Sequence, residues 1–93
     1  MKSVDLSIEE DLLSFPCSFE IKVVGRQSVK FRERIYSIID RHLGDTRIID
    51  ISSRCSRQGK YLSLTCAIKA TSRQQLDSIY LDLNREADVL MIL

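Results

Sequence analysis

The longest alternation of apolar and polar side chains in the chain covers the ten residues from Tyr61 to Ala70. The apolar members of this series are Leu62, Leu64, Cys66, Ile68 and Ala70. A period of two residues predicts a β-strand that buries one face and leaves the other mostly polar. Because the pattern is long and uninterrupted, we expect this strand to lie in the middle of a sheet.

Shorter patterns predict three further strands. They are an alternating run that ends at Gly25, a run over residues 46–55 with Ile49 and Ile51 on the buried side, and an apolar run over residues 88–93. A turn around Gly59 connects the second of these strands to the strand that begins at Tyr61. The two strands are therefore expected to form an antiparallel hairpin.

Between the strands, the apolar spacing changes to that of an amphipathic helix. One predicted helix begins near Ser28 and ends before Gly44, which is a favourable C-cap residue. Another begins at Ser72, an N-cap residue with Gln75 in the capping-box position. A third, short helix ends before Pro16, because the residue that precedes a proline is disfavoured in the α region.

After the N-terminal helix the order of elements is β-α-β-β-α-β. This order predicts the α+β class and a ferredoxin-like two-layer sandwich. Right-handed crossovers place both helices on one side of a four-stranded antiparallel sheet, with the first and third strands in the centre. We expect an N-terminal helical arm over residues 1–15 and a single ferredoxin-like domain over residues 16–93.

Composition narrows the class of protein. A length of 93 residues with 44% hydrophobic and 29% charged residues is typical of one small soluble domain. The longest apolar run, Val89 to Leu93, is far shorter than the roughly 20 residues that cross a bilayer. Acidic residues occupy the region where a signal peptide has its apolar core. We expect a cytoplasmic protein that is not bound to a membrane.

Residue types that carry catalysis are sparse. The three cysteines are odd in number and lack a C-x-x-C spacing, so we interpret them as reduced structural thiols. His42, the only histidine, extends an apolar helical stripe and is interpreted as a packing residue or a partner of the helix C-terminus. We find no phosphate loop, nucleophile elbow or zinc-protease motif. We therefore expect no enzyme, no catalytic residue, no metal site and no cofactor.

The net charge of +1 conceals an uneven distribution. Every charged residue between positions 51 and 76 is basic, namely Arg54, Arg57, Lys60, Lys69 and Arg73. The first twenty residues carry five acids and one lysine. The basic hairpin and the acidic arm can meet within one molecule, meet between subunits, or present separate surfaces to partners. Alternatively, both charged surfaces only face the solvent and have no specific partner.

Two segments of the chain resemble a known family. The first is Leu12-Leu13-Ser14-Phe15-Pro16, followed by Phe19, Lys22-Val23 and Gly25. The second is Ser56-x-x-Gly59-x-Tyr61-x-Ser63, followed by Ala70-Thr71, Gln75, Tyr80 and Leu83. They resemble the YbeD-like family of small bacterial proteins of unknown function. The resemblance implies a ferredoxin-like fold, a likeness to ACT regulatory domains, and a suspected regulatory part in lipoate metabolism.

The likeness to ACT domains implies a ligand site at the loop between the first strand and the first helix. In this chain the loop is Gly25, Arg26, Gln27 and Ser28. A glycine lets the backbone approach a ligand, free helix N–H groups can bind a carboxylate, and Arg26 adds a charged donor. Alternatively, Gly25 only turns the chain and Ser28 only caps the helix. The function that follows is a regulatory domain that senses a small acid or amino acid, or that modulates a partner enzyme.

Two other functions involve different surfaces. The last strand is apolar at Val89, Leu90, Met91 and Ile92, which predicts an interface with a second copy or with another protein. Nucleic-acid binding would depend on the basic hairpin. The polar face of the central strands offers Tyr61 as its one aromatic ring, so the stacking platform of RNA-binding modules is missing. We therefore expect a homodimer or a protein partner and do not favour a nucleic-acid partner.

Overall fold

The computed structural model describes residues 14–93, so the expected N-terminal helical arm lies outside the described residues apart from its last two positions. The described elements are β1 (Cys17–Arg26), α1 (Phe31–Asp40), β2 (Asp50–Cys55), β3 (Tyr61–Ala70), α2 (Arg73–Asn84) and β4 (Val89–Ile92). Their order confirms the predicted β-α-β-β-α-β arrangement of a ferredoxin-like α+β fold.

The four strands form one antiparallel sheet in the order β2-β3-β1-β4. Strands β1 and β3 pair along their whole length, from Cys17 opposite Ala70 to Arg26 opposite Tyr61. Strand β4 pairs with the second half of β1, and the register shifts between Val24 and Gly25. The predicted central position of the first and third strands is therefore confirmed.

Both helices pack on one face of the sheet and enclose an apolar core. Every apolar residue of the β3 alternation, from Leu62 to Ala70, is buried. The helices contribute Phe31, Ile35, Ile38 and Ile39 from α1, and Leu76, Ile79, Tyr80 and Leu83 from α2. No charged side chain is buried among residues 14–93. The alternation of apolar residues in β3 therefore specifies the sheet layer, and the apolar faces of α1 and α2 specify the helix layer.

The other face of the sheet carries the side chains of the opposite parity, and we call it the open face. Side chains of directly paired residues project from the same face of a sheet. Arg26 and Tyr61 therefore share the open face, as do Arg54 and Ser63. Met91, opposite Val24, extends this face onto β4.

The second strand is shorter than predicted. It begins at Asp50, and Ile49 is 61% exposed, although the sequence pattern placed Ile49 on the buried side. Ile48 packs against the core instead, together with Ile51. Ile48 and Ile51 are three residues apart, so they do not follow the strict alternation of a strand. The reason is that the residues before Asp50 are not part of the ladder between β2 and β3.

Helix α1 is also shorter than predicted at both ends. Its N-cap is Lys30, which makes no side-chain capping bond, so Ser28 does not cap the helix. The helix ends at Asp40, and a further turn follows in which Leu43 N–H donates to the carbonyl of Asp40. Gly44 then adopts a positive φ of 62°, which ends that turn rather than the helix itself.

Helix α2 begins as predicted. The hydroxyl of Ser72 accepts a hydrogen bond from the backbone N–H of Gln75 at 3.1 Å. The side-chain oxygen of Gln75 accepts from the backbone N–H of Thr71 at 2.8 Å, one residue before the usual capping-box partner. These two bonds satisfy the backbone N–H groups of Gln75 and Thr71 at this helix start.

Candidate functional site

Gly25 is a packing residue at the end of β1. A Cβ atom at this position would overlap the ring of Phe31 and would lie 2.5 Å from the carbonyl oxygen of Asp88. The absence of a side chain lets α1 and the turn before β4 close onto β1. The backbone of Gly25 is therefore covered by its own chain and does not offer a ligand the close approach that the sequence suggested.

The rest of the predicted ligand loop is held against the β2–β3 hairpin. The backbone N–H of Gln27 donates to the carbonyl of Lys60 at 2.9 Å, and Arg26 is paired with Tyr61 at the end of the ladder. The carbonyl of Ser28 accepts a weak bond from Phe31 N–H at 3.3 Å. The structure thus brings together two segments that the sequence suggested separately, the β1–α1 loop and the basic hairpin.

A hollow of about 540 Å³ opens on the open face beside this junction. Its lining residues are Val24, Arg54, Cys55, Ser56, Arg57, Tyr61 and Ser63. We call this concavity the hairpin hollow. Its volume lies within the range of about 300 to 1,000 Å³ that is common for small-molecule sites.

The turn below the hairpin hollow is well ordered by hydrogen bonds. Ser56 and Tyr61 are joined by a backbone bond of 2.9 Å and by a bond of 3.1 Å from Tyr61 N–H to the hydroxyl of Ser56. Gly59 N–H donates to the carbonyl of Ser56 at 2.9 Å, and Gly59 has a φ of 73°. Only a glycine adopts this conformation without strain. The turn therefore fixes the backbone that carries Arg57.

The five predicted basic residues do not form one patch. Arg54 and Arg57 line the hairpin hollow, and Lys60 lies beside it in a smaller concavity that also contains Arg57 and Tyr61. Lys69 lies at the opposite end of β3, where it pairs with Ser18. Arg73 lies on α2 and forms an ion pair of 3.6 Å with Asp77. The basic surface is thus limited to the hairpin end of the sheet.

The chemistry of the hairpin hollow suits the binding of an anion with an apolar part. Two guanidinium groups can each donate two parallel hydrogen bonds to a carboxylate. Tyr61, which is 42% exposed, and the half-buried Val24 offer apolar surface next to these charges. The thiol of Cys55 accepts from the side-chain amide of Gln27 at 3.7 Å. The lining contains neither a carboxylate nor an imidazole that could act as a general base.

A second concavity, of about 500 Å³, lies between α1 and α2. Arg34 crosses it to Glu86 at 2.7 Å and to Asp88 at 3.3 Å. The hydrogen bond that Arg34 donates to Glu86 raises the pKa of the Arg34 guanidinium, with a smaller contribution from the charge of Asp88. Because Arg34 is already paired with Glu86 and Asp88, we interpret this groove as the packing boundary between the two helices rather than as a ligand site.

At the other end of the same groove, Asp82 collects three basic partners. Its carboxylate lies 2.5 Å from His42 Nε2, 3.2 Å from Arg41 Nη2 and 3.5 Å from Arg85 Nη1. The hydrogen bond from His42 lowers the pKa of Asp82, and the bond from Arg41 lowers it further. His42 therefore lies at the helix boundary with a specific partner, Asp82. The sequence predicted the boundary position but did not reveal this partner.

The predicted interface on β4 is only partly available. Val89 and Ile92 are 2% and 1% exposed, because they belong to the core of their own domain. Leu90 and Met91 remain 38% and 44% exposed. Strand β4 pairs with β1 along one edge and packs against α2 with one face, so part of its side chains point inward. The register shift at Gly25 explains why the two buried residues of β4 are three positions apart rather than two.

Within residues 14–93, no group of three or more His, Cys, Asp or Glu side chains is placed to hold a metal ion. No helix in this region is long and apolar enough to cross a membrane. The cysteines are free thiols, and burial raises the pKa of the Cys66 thiol to about 11.

Comparison with known proteins shows the family. The profile of a family described as "Protein of unknown function (DUF493)" matches residues 10–93. The chain belongs to the DUF493 family. Its relatives include the UPF0250 protein of Nitrosomonas europaea, which is 44% identical over 85 residues that cover 91% of this chain and 98% of that protein. The UPF0250 protein of Chromobacterium violaceum is 39% identical over 91% of this chain and 96% of that protein. The expected YbeD-like family is thus confirmed.

Solved structures place the DUF493 chain in the ACT-like group of folds. The crystal structure of the ACT domain from the GTP pyrophosphokinase of Chlorobium tepidum matches 82% of this chain and 94% of that domain. The TM-score is 0.67 and the identity is 17%. The solution structure of protein HP0495 from H. pylori matches the whole chain and 98% of that protein, with a TM-score of 0.74 and 10% identity. At such low identity the likeness shows the fold alone.

Proposed function

We propose that this DUF493 chain is a small cytoplasmic regulatory domain that binds a small organic acid in the hairpin hollow. The observation that carries the proposal is the convergence of Arg54, Arg57 and Tyr61 around a concavity of about 540 Å³. Two arginines and an aromatic ring in the lining of one concavity suit a carboxylate that is attached to an apolar body. The ACT-like fold is consistent with a regulatory rather than a catalytic role.

In this proposal each part of the hollow has a role. Arg54 and Arg57 hold the carboxylate, because charge-assisted hydrogen bonds to a guanidinium are the strongest contacts available there. The body of the ligand lies against Tyr61 and Val24. An acid with one carboxylate and an apolar chain satisfies both surfaces. Amino acids and lipoate-related acids, which the family resemblance suggests, are the first compounds to test.

The β1–α1 loop provides a route from the ligand to the rest of the domain. Arg26 pairs with Tyr61, and the Gln27 side chain donates to the Cys55 thiol at the wall of the hollow. A ligand that moves Tyr61 or Cys55 therefore acts on the segment that leads directly into α1. In this proposal the predicted loop takes part through Arg26 and Gln27. Gly25 serves the packing of β1, and Ser28 contributes only its backbone carbonyl to the turn before α1.

Nucleic acid is the weaker alternative for the same surface. The basic hairpin provides three cations, but Lys69 lies at the far end of β3 and Arg73 pairs with Asp77 on α2. A single-stranded nucleic acid also needs several stacking rings, and Tyr61 is the one aromatic residue that β1, β2, β3 and β4 place on the open face.

The test is a binding titration that is followed by ¹H–¹⁵N NMR spectra. The ¹⁵N-labelled chain is titrated with amino acids, with lipoate and with octanoate, at low and at high salt. We expect shifts in the residues around the hollow for at least one acid. The variant Arg57→Gln should weaken binding by about tenfold or more, since a hydrogen bond to a charged group contributes roughly 1.5 to 3 kcal/mol.

Lys69→Gln is the matched control, because it removes the same charge at the other end of β3. It should leave the affinity within about twofold, which is the screening effect of one distant surface charge. Equal weakening by both variants would indicate a nonspecific charge effect and would contradict the proposal. The absence of shifts with every acid would reject it outright.

A further inference from the structure

The half of the open face nearest the β2–β3 hairpin carries only basic charges on the described strands. These charges are Lys22 and Arg26 from β1 and Arg54 from β2. The two acids that the described strands place on the open face, Glu20 and Asp50, lie together at one level of the ladder, farther from the hairpin. None of the three cations forms an ion pair with an acid of the described chain. Their charges are therefore not neutralised within this part of the chain.

Apolar side chains lie between these cations. Val24 stands between Lys22 and Arg26 on β1, and Met91, which is 44% exposed, lies opposite Val24 on β4. Leu93 shares the open face with Lys22, because the two residues exchange backbone hydrogen bonds of 2.8 and 3.1 Å. We call this surface the basic half-face, and it consists of Lys22, Val24, Arg26, Arg54, Tyr61, Met91 and Leu93.

A partner for the basic half-face must combine carboxylates with apolar side chains over a short length. A second copy of the chain that packs with the same face does not meet this requirement. A two-fold axis would bring the two sets of cations together, and like charges across an interface oppose association. The partner that fits is therefore an acidic and amphipathic segment.

Residues 1–13, which lie outside the described residues, have this chemistry. Their charged side chains are Lys2, Asp5, Glu9, Glu10 and Asp11. In the helix that the sequence predicts here, Ile8 and Leu12 are four residues apart and share one side. Glu9 and Asp11 flank this apolar side, because successive residues of a helix are about 100° apart. We call residues 1–13 the acidic segment.

The acidic segment is attached where it can reach the basic half-face. Phe15 packs against the core beside the start of β1, which fixes the point from which the segment leaves the domain. From Cys17 to Val24 the strand rises about 23 Å, at about 3.3 Å per residue. Residues 1–13 span about 20 Å as a helix and about 43 Å when extended. A combination of helix and extended chain therefore reaches Val24 along β1.

We propose that the acidic segment docks on the basic half-face of its own domain. Its carboxylates pair with Lys22, Arg26 and Arg54. The side that contains Ile8 and Leu12 covers the apolar side chains between these cations. Docking involves no ligand, so it does not rest on the proposed function.

The docked segment also regulates the hairpin hollow. The hollow and the basic half-face share Val24, Arg54 and Tyr61. A carboxylate of the segment that pairs with Arg54 competes with the carboxylate of a small acid for the same guanidinium. This competition, unlike the docking itself, rests on the proposed function.

The docking is tested without any added acid, in the full chain labelled with ¹³C at its methyl groups. We expect nuclear Overhauser effects (NOEs) between a methyl group of Ile8 or Leu12 and a methyl group of Val24, Met91 or Leu93. A sample that mixes labelled and unlabelled chains separates contacts within one chain from contacts between chains. The absence of these NOEs would overturn the proposal, as would NOEs that are found only between chains.

Charge reversal provides the variants for the same measurement. Glu9→Lys combined with Asp11→Lys should abolish the NOEs, because it places new cations against those of the basic half-face. Glu33→Lys is the matched control, since it reverses an acid on α1 in the helix layer, and it should leave the NOEs intact. Equal loss of the NOEs in both variants would indicate a nonspecific charge effect and would also overturn the docking.

The competition is tested with the acid that binds most tightly in the titration described above. Glu9→Gln combined with Asp11→Asn removes the charges of the segment without adding cations. This variant should bind the acid at least about threefold more tightly than the unmodified chain, since the apparent affinity rises with the fraction of chains whose site is free. Equal affinities would overturn the competition. Intact NOEs in a chain that binds no acid would contradict the proposed function and support the docking.

Discussion

His42 Nε2 and Asp82 Oδ2 lie 2.5 Å apart and connect the turn that follows α1 to the last turn of α2. The side-chain amide of Gln75 reinforces this connection, because it donates to the backbone carbonyl of His42 at 3.0 Å. Arg41 adds a third contact between the same two segments. The turn that follows α1 is therefore fastened to α2 by polar contacts at the surface, while the apolar core lies beneath it.

The first prediction concerns acid stability. The pKa of Asp82 is lowered in the folded state, so its ionised form favours folding. This contribution is complete above the ordinary aspartate pKa of about 3.9 and is lost as the pH falls through the lower folded value. We expect Asp82→Asn to lose less stability than the unmodified chain as the pH falls below about 4, the ordinary aspartate pKa. Urea unfolding at several pH values measures this, with Asp50→Asn as the control, and parallel pH profiles for all three proteins would contradict it.

The second prediction concerns Gly25. Gly25→Ala places a methyl group against the Phe31 ring and the Asp88 carbonyl, so we expect a loss of about 1 to 3 kcal/mol or more in the free energy of unfolding. Phe31→Leu in the same chain should restore part of this loss, since a smaller side chain relieves one of the two overlaps. A double-mutant cycle in urea provides the measurement. Purely additive effects of the two substitutions would show that the overlap with Phe31 is relieved in some other way.

The third prediction concerns the two serines at the expected starts of the helices. Ser72→Ala removes a capping bond and should cost about 1 kcal/mol of stability. Ser28→Ala should be close to neutral, because α1 starts at Phe31 without a side-chain cap. Gln75→Ala should cost more than Ser72→Ala, since Gln75 bonds both Thr71 and the carbonyl of His42. Thermal unfolding of the three variants ranks them, and a large effect of Ser28→Ala would contradict this account of the helix start.

The fourth prediction distinguishes the cysteines by their reactivity. Cys55 is exposed, whereas Cys66 is buried and has a pKa raised to about 11. A thiol reagent at mildly alkaline pH should modify Cys55 rapidly and Cys66 only when the domain unfolds, because the thiolate is the reactive form. Cys55→Ser should remove the rapid phase. A rapid phase that persists in this variant would assign it to a different thiol.

The sequence predicted the layers of the fold more reliably than its edges. In β3 each apolar position is buried, because a central strand has neighbours on both sides and a core on one face. At the edge, the expected burial of Ile49 was wrong, since residues before the β2 ladder need not alternate. Ser72 caps its helix as its local pattern predicts, while Ser28 does not, because the β1–α1 loop is bonded to the hairpin instead.

The candidate site could be predicted only in parts. The sequence singled out Arg54 and Arg57, but it grouped them with Lys69, which the register of β3 places at the opposite end of the strand. It placed Gly25 in the expected ligand loop, with a simple turn as the alternative, because the close contact of Gly25 with Phe31 exists only in three dimensions. His42 and Asp82 are 40 residues apart in the chain, so no local sequence pattern could predict that they pair.

The central ladder between β1 and β3 has a consequence for the way the chain reaches its fold. Gln27 to Lys60, including α1 and β2, separates these two strands. The longest pairing of the sheet is thus a nonlocal one, which slows folding relative to a domain of local contacts. During synthesis β1 cannot complete its ladder with β3 until Ala70 has left the ribosome. Until then the apolar face of β1 lacks its main partner strand, and unpaired strand edges of this kind promote aggregation.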